Sequence, residues 1–118
     1  HHLRGCQSST QNYLQDIQRG NEVLQTSLFR PPHGRMTCSQ KKQLRKAGYT
    51  IYLWDVLTHD YNPKYTPEKM LRIVQRFTRN GSIIVLHDSL KSKDRMLIVL
   101  PQIIQWLQAA GYTFQTLN

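Results

Sequence analysis

The sequence has few cysteines and no long apolar run, which limits what this chain can be. Two cysteines, Cys6 and Cys38, are too few for a disulfide scaffold, and their spacing matches no metal motif. No apolar run approaches the roughly 20 residues of a membrane-spanning helix, and no signal-peptide pattern opens the chain. Only five prolines occur and 39% of the residues are hydrophobic, which excludes a disordered chain. The composition therefore predicts a globular chain without a transmembrane segment.

Acidic residues are also scarce. Seven Asp and Glu stand against 16 Lys and Arg, which gives a net charge of +9. Such a balance favours anionic partners, for example nucleic acid, acidic glycans or a membrane surface. The basic residues are nevertheless scattered along predicted helices, without an aromatic-interleaved patch. We therefore interpret most of them as solvated helix faces and predict that nucleic acid is not a partner.

Apolar spacing and capping signals predict alternating helices and strands. Helices are predicted over 10–25, with a break near Gly20, from the Thr37 cap to 47, from the Thr66 cap to 80, and over 94–110, with a kink or fresh start at Pro101. Strands are predicted over 27–30, 49–55, 82–86 and 112–117.

This alternation predicts an α/β fold with parallel strands and right-handed crossovers. An open doubly wound sheet and a (β/α) barrel are both compatible with the pattern. Four strands are too few to close a barrel, which typically takes about 250 residues. The chain begins on a helix and without methionine, so we expect the C-terminal portion of a larger domain.

Polar side chains follow three of the predicted strands. Arg30 follows the first strand, Asp60 lies in the loop beyond the second, and His87 directly follows the four aliphatic residues 83–86. Because the carboxyl ends of parallel strands meet at one edge of a sheet, an arginine, an aspartate and a histidine could converge there. The sequence therefore predicts an acid/base constellation at this edge.

The same motifs resemble those of the polysaccharide deacetylase family (carbohydrate esterase family 4, the NodB-homology domain). FRPPHG (29–34) resembles the family's arginine-proline-proline-tyrosine-glycine motif, WDVLTHDY (54–61) its fourth motif, and IVLHD (84–88) its fifth. The ending (100–117) is similar to the family's last helix and strand. The resemblance implies a distorted, incomplete (β/α) barrel. It also implies that residues 1–118 form a single partial catalytic domain without the N-terminal strands and first motif.

Roles for individual residues follow from the resemblance. His87 would be the general acid that protonates the departing amine, and Asp60 would accept a hydrogen bond from it and orient it. Arg30 would pair with a catalytic aspartate of the first motif, which this sequence lacks. The backbone N–H of His33, which replaces the usual tyrosine, would stabilise the oxyanion. The pocket walls would be Tyr61, Val85 and Trp54.

The resemblance further implies a divalent metal, with zinc ahead of cobalt and nickel. Zinc would polarise the acetamide carbonyl and activate a water molecule. His1-His2-Leu3 resembles the tail of the family's histidine motif, which would make His2 a ligand. An alternative is that His1 and His2 are the remnant of a purification tag. Since the sequence lacks the first-motif aspartates and the first zinc histidine, we expect the isolated chain to be inactive.

The leading hypothesis is metal-dependent hydrolysis of the C–N amide bond of N-acetyl sugars in a polysaccharide or peptidoglycan-like glycan by the full-length protein. One alternative is a related hydrolase for a small-molecule amide, and another is a non-catalytic glycan-binding relative. A basic nucleic-acid-binding domain ranks below both. The glycan, its linkage, the oligomeric state and the compartment stay open, although the resemblance favours the cell envelope.

Overall fold

The computed structural model describes residues 5–117, apart from the side chain of Cys6. They fall into two compact units, the first ending at Leu53 and the second spanning Trp54–Thr116, with Leu117 assigned to the first. The helices are α1 Thr10–Leu24, α2 Cys38–Lys46, α3 Pro67–Phe77 and α4 Lys93–Ala109. The strands are β1 Leu28–Phe29, β2 Thr50–Ile51, β3 Val56–Leu57 and β4 Ile84–Val85. Short 3₁₀ turns cover Gly5–Gln7 and Pro32–Gly34.

The first unit packs α1 and α2 around a parallel pair of strands, β1 with β2. Its core consists of Tyr13, Ile17, Phe29 and Leu44. The rings of Tyr13 and Phe29 meet edge to face, with centroids 6.1 Å apart. Because Tyr13 and Ile17 are four residues apart, they lie on one face of α1, which explains why that face is buried.

Helix α2 begins at a capping box. The Thr37 hydroxyl accepts the backbone N–H of Gln40, and the Gln40 side-chain oxygen accepts the N–H of Thr37. Gln40 is fully buried, and its amide nitrogen donates to the carbonyl of Gly5 at 2.7 Å. One side chain thus closes the first turn of α2 and ties it to the segment before α1.

The second unit packs α3 against α4, beside the parallel pair β3 and β4. Thr66 caps α3, and Pro67 occupies its first position, where the missing N–H costs nothing. The core residues recur every four positions along each helix, which gives each helix one buried face. They are Met70 and Val74 from α3, Val99, Ile103 and Leu107 from α4, and Val56 from β3.

Side chains hold both ends of the β3–β4 pair. At the start, the Asp55 carboxylate accepts the Ser82 hydroxyl at 2.7 Å and the Ile83 N–H at 2.8 Å. At the end, the Thr58 hydroxyl donates to the Val85 carbonyl at 2.9 Å. Partial burial opposes ionisation of Asp55, but the hydrogen bonds from Ser82 and Ile83 and the charge of Arg79 outweigh it, so the pKa of Asp55 lies below 3.8.

The α/β class with parallel strands is confirmed, and the helix positions agree with the sequence predictions. Three details were wrong. Helix α1 continues through Gly20 without a break. The run 49–55 is not one strand: β2 takes only Thr50–Ile51, and β3 begins after the Asp55 turn. Residues 112–117 form no strand in the described chain, where Phe114 is 58% exposed.

The fresh start that the sequence offered as one possibility at Pro101 is a fourth wrong detail, because α4 passes through Pro101 as one continuous element. None of the helices within residues 5–117 combines the length and apolarity that crossing a bilayer requires. The two strand pairs are separate two-stranded sheets. The α/β arrangement therefore rests on short parallel pairs, each covered by helices of its own unit.

Candidate active site

Asp60 and His87 lie together at the carboxyl end of the β3–β4 pair. Asp60 comes three residues after β3 and His87 two residues after β4. Because the two strands are parallel, both residues emerge at the same edge. The Asp60 side chain is fully buried, whereas that of His87 is 41% exposed. The pair therefore joins a shielded carboxylate to an imidazole that solvent or a substrate can reach.

The Asp60 carboxylate holds His87 with two short hydrogen bonds. One carboxylate oxygen accepts the backbone N–H of His87 at 2.6 Å. The other lies 2.7 Å from Nδ1 of the His87 ring. When the Asp60 carboxylate is ionised it can only accept hydrogen bonds, and Nδ1–H is then the donor of this bond. This arrangement fixes the tautomer and the plane of the ring and leaves Nε2 as the nitrogen that can exchange a proton with a ligand.

Three further residues hold this pair in place, and the sequence analysis missed all of them. The Thr58 hydroxyl oxygen lies 3.4 Å from an Asp60 carboxylate oxygen. Arg95 donates from Nε and Nη2 to the Asp60 carbonyl at 3.1 and 2.8 Å. The Ser92 hydroxyl donates to the His87 carbonyl at 2.7 Å. Arg95 lies in the first turn of α4, where a cation interacts unfavourably with the helix dipole. This unfavourable position was the signal in the sequence that Arg95 makes a specific contact.

Aromatic rings extend from His87 across the loop that follows β3. The Tyr61 ring meets the His87 ring edge to face at 5.0 Å, and Tyr61 is 43% exposed. The Tyr61 hydroxyl lies 3.2 Å from Nδ1 of His59. His59 has a positive φ of 59°, an uncommon conformation for a residue other than glycine. This loop therefore holds two polar rings next to the exposed imidazole.

The other proposed site residues are distributed over both units. Arg30 directly follows β1 in the first unit and is exposed. His33, also exposed, has a left-handed backbone with φ of 55° inside the 3₁₀ turn. In the second unit Trp54 is half-buried, while Val85 is only 6% exposed in β4. The roles assigned to these four residues stay predictions.

The residues that would hold a metal were also tested against the structure. His2 lies outside the described residues. Within 5–117, no group of three or more His, Cys, Asp or Glu side chains is arranged to hold a metal ion. The described residues by themselves therefore make up no zinc site, and the metal and its His2 ligand stay predictions.

No protein-family model matches the sequence, but individual known proteins are similar to it. The chain is 29% identical to a peptidoglycan-N-acetylglucosamine deacetylase of Bacillus cereus over 99% of its own length and 58% of the relative's. A family 4 carbohydrate esterase from Streptomyces lividans, solved with acetate, superposes with a TM-score of 0.81 at 25% identity, over 95% of this chain and 59% of that one.

Two further structures share the fold. The crystal structure of a peptidoglycan N-acetylglucosamine deacetylase superposes with a TM-score of 0.88 at 24% identity, over 94% of this chain and 55% of that one. A family 4 pseudoenzyme from Bacillus anthracis superposes at 0.79 with 21% identity, over 91% and 38%. The chain thus spans a little over half the length of the first relatives it matches. Its resemblance to the polysaccharide deacetylases of carbohydrate esterase family 4 is confirmed.

Proposed function

We propose that the protein containing this chain hydrolyses acetyl groups on a glycan, and specifically the C–N amide bond of N-acetylated sugars. The observation that carries the proposal is the buried Asp60 carboxylate hydrogen-bonded to the exposed His87 imidazole at one edge of a parallel strand pair. The 29% identical peptidoglycan-N-acetylglucosamine deacetylase of Bacillus cereus supports the substrate class. We further propose a peptidoglycan-like polymer as substrate, since the Bacillus cereus relative is named for that polymer.

In this proposal His87 donates a proton from Nε2 to the departing amine. Amide hydrolysis needs such a donor, because an amine leaves a tetrahedral intermediate readily only when its nitrogen is protonated. Asp60 keeps Nδ1 protonated and directs Nε2 outward, and its charge compensates that of the doubly protonated ring. Thr58, Ser92 and Arg95 act as positioning residues through their hydrogen bonds to Asp60 and His87.

Further assignments in the proposal concern residues of each unit. Arg30 would orient a catalytic aspartate, the N–H of His33 would stabilise the oxyanion, and Tyr61, Trp54 and Val85 would line the substrate pocket. A divalent metal, zinc first, would polarise the acetyl carbonyl, with His2 as one ligand. These assignments rest on motif resemblance, as does the proposal that residues 1–118 form part of one incomplete (β/α) barrel.

A second candidate is a glycan-binding protein without catalytic activity. This chain shares its fold with a family 4 pseudoenzyme, so the fold by itself does not distinguish a catalyst from a binding protein. The two candidates differ in one respect: a binding protein would bind acetylated oligosaccharides without releasing acetate.

The test is acetate release from N-acetylglucosamine oligomers by the full-length protein, with His87→Asn as the variant. Loss of the general acid should lower kcat by about 10²–10⁴-fold with a smaller effect on KM. Asp88→Asn, an exposed neighbour, is the matched control and should retain activity. If His87→Asn retains full activity, the assigned role is wrong. If the unmodified protein binds the oligomer but releases no acetate, the binding-protein candidate replaces the deacetylase.

A further inference from the structure

A cavity of about 360 Å³ lies along α3, in the same unit as Asp60 and His87. It is lined by Thr66, Lys69, Arg72, Ile73, Arg76 and Phe77. The three cations are spaced three and four residues apart, so they project from one face of the helix. Ile73 and Phe77 add an apolar surface, and Phe77 is 54% exposed. We refer to this cavity as the α3 groove.

The charge of the α3 groove is positive and partly fixed in place. The Lys69 ammonium lies 4.2 Å from the centre of the Tyr65 ring, and the Arg76 guanidinium lies 5.3 Å from the centre of the Phe77 ring. Such cation–π contacts restrain long side chains and leave N–H groups available for an anion. The single acid of α3 is Glu68, whose pKa is lowered by hydrogen bonds from the Thr66 hydroxyl and its own backbone N–H and by the charge of Arg72, so one carboxylate stands against the three cations. The groove is therefore complementary to a ligand that carries negative groups.

A row of rings connects the α3 groove with His87. Tyr61 touches the His87 ring, and its own ring centre lies 5.9 Å from that of His59. His59 stacks at a tilt on Tyr65, with centres 4.7 Å apart, and Tyr65 carries the Lys69 ammonium. Flat ring faces suit the apolar faces of pyranose sugars. The ring contacts thus lead from His87 through Tyr61, His59 and Tyr65 to Lys69 of the α3 groove.

We propose that the α3 groove binds the carboxylate-bearing part of an extended glycan chain whose acetylated sugar lies at His87. This inference rests on the proposed function. We assign the groove to a glycan and not to a nucleic acid because the sugar proposed at His87 belongs to a glycan, and the ring contacts end at cations that complement carboxylates. Lys69, Arg72 and Arg76 are then specificity residues for acidic substituents, while the rings hold the sugars between groove and His87.

The experiment compares two matched hexamers of N-acetylglucosamine, one unmodified and one carboxymethylated. Calorimetry with the full-length protein measures the affinity for each at low salt. The variant Arg72→Gln/Arg76→Gln removes two charges from the groove. The control Lys41→Gln/Lys42→Gln removes two charges from exposed positions of α2. Both variants have the same net charge, so non-specific electrostatic attraction changes equally.

We expect the groove variant to weaken binding of the carboxymethylated hexamer about 10-fold, because two charged contacts are lost. The α2 control should change the affinity for the carboxymethylated hexamer less than about 2-fold. Neither variant should change the affinity for the unmodified hexamer more than about 2-fold. Equal losses in both variants, or no gain from the carboxymethyl groups, would overturn the inference. Tighter binding of a single-stranded DNA of equal charge, lost in the groove variant, would also overturn it and assign the groove to nucleic acid.

NMR on the same samples separates failure of this inference from failure of the proposed function. If the unmodified hexamer shifts the His87 and Tyr61 signals but carboxylates add no affinity, the groove assignment fails and the acetyl-sugar site stands. If neither hexamer shifts the His87 signals, the acetyl-sugar site fails, and the groove assignment fails with it.

Discussion

Replacing Asp60 by asparagine tests the central contact of the proposed site. Asparagine is nearly isosteric with aspartate, so the packing of this fully buried side chain is retained. What changes is the charge and one acceptor oxygen. The remaining oxygen can accept only one of the two His87 donors, the backbone N–H at 2.6 Å or Nδ1–H at 2.7 Å.

The expected cost follows from these two bonds. A hydrogen bond to a charged group contributes a net of about 1.5–3 kcal/mol to stability, and a neutral one about 0.5–1.5 kcal/mol. In the variant, one of the two hydrogen bonds is made to a neutral acceptor and the other loses its acceptor. Together these changes should lower the free energy of unfolding by about 2 kcal/mol. The backbone N–H of His87 cannot change, whereas the ring can. The ring should therefore move its proton from Nδ1 to Nε2, so that Nδ1 accepts an N–H from the newly introduced side-chain amide.

Urea denaturation measures the first effect and ¹⁵N chemical shifts of the imidazole the second. With an m-value of about 1.5 kcal/mol/M, a loss of about 2 kcal/mol lowers the urea midpoint by about 1.3 M. Asp88→Asn, exposed and next to His87, is the control and should stay within about 0.5 kcal/mol of the unmodified chain. A variant with an unchanged midpoint and the proton still on Nδ1 would refute the reasoning from the Asp60–His87 contact.

Further predictions concern stability and activity. Asp55→Asn should cost about 1 kcal/mol at pH 7. Because folding lowers the pKa of Asp55, its contribution to the free energy of unfolding is complete above the unfolded pKa of 3.8 and is lost as the pH falls through the folded pKa. The difference in urea midpoint between the variant and the unmodified chain should therefore disappear in acid. A difference that stays constant with pH would contradict this. Thr37→Ala should lower stability by about 1 kcal/mol through loss of the capping box, against no change for the exposed Lys41→Ala. Arg95→Met, which removes two donors from the Asp60 carbonyl, should cost about 2 kcal/mol, with Lys93→Met as the unaffected control. The isolated 118-residue chain should release no acetate from N-acetylglucosamine oligomers with or without added Zn²⁺, and measurable release would contradict the expectation that first-motif residues are needed.

Helices were predictable because their signals are local. Thr37 and Thr66 both proved to be N-caps, and the buried faces of α3 and α4 follow the spacing of their apolar residues. Strands were harder, since their ends depend on a distant partner. The run 49–55 has high β propensity throughout, yet only Thr50–Ile51 finds a neighbour in β1. Val56–Leu57 was missed because two residues carry too little pattern to identify a strand.

The site was predictable to the extent that it lies at strand ends. Asp60 and His87 stand in positions where parallel strands place polar groups, and their motif spacing carried the resemblance. The residues that hold them were not predictable in the same way. Thr58 reaches Val85 across 27 residues and Arg95 reaches Asp60 across 35, so no local pattern links either pair. Only folding brings these donors to their acceptors.

The pairing of β3 with β4 has a mechanical consequence. The ladder is only two residues long, and two backbone bonds that flank it are long: Val56 N lies 3.3 Å from the Ile83 carbonyl oxygen and Thr58 N lies 3.4 Å from the Val85 carbonyl oxygen. A ladder this short would oppose a register shift only weakly. The hydrogen bonds of the Asp55 carboxylate at one end and of the Thr58 hydroxyl at the other therefore help to fix the register. A register shift of one position would draw His87 away from Asp60, so a substitution of Asp55, at the opposite end of the strand pair, should misalign the Asp60–His87 contact.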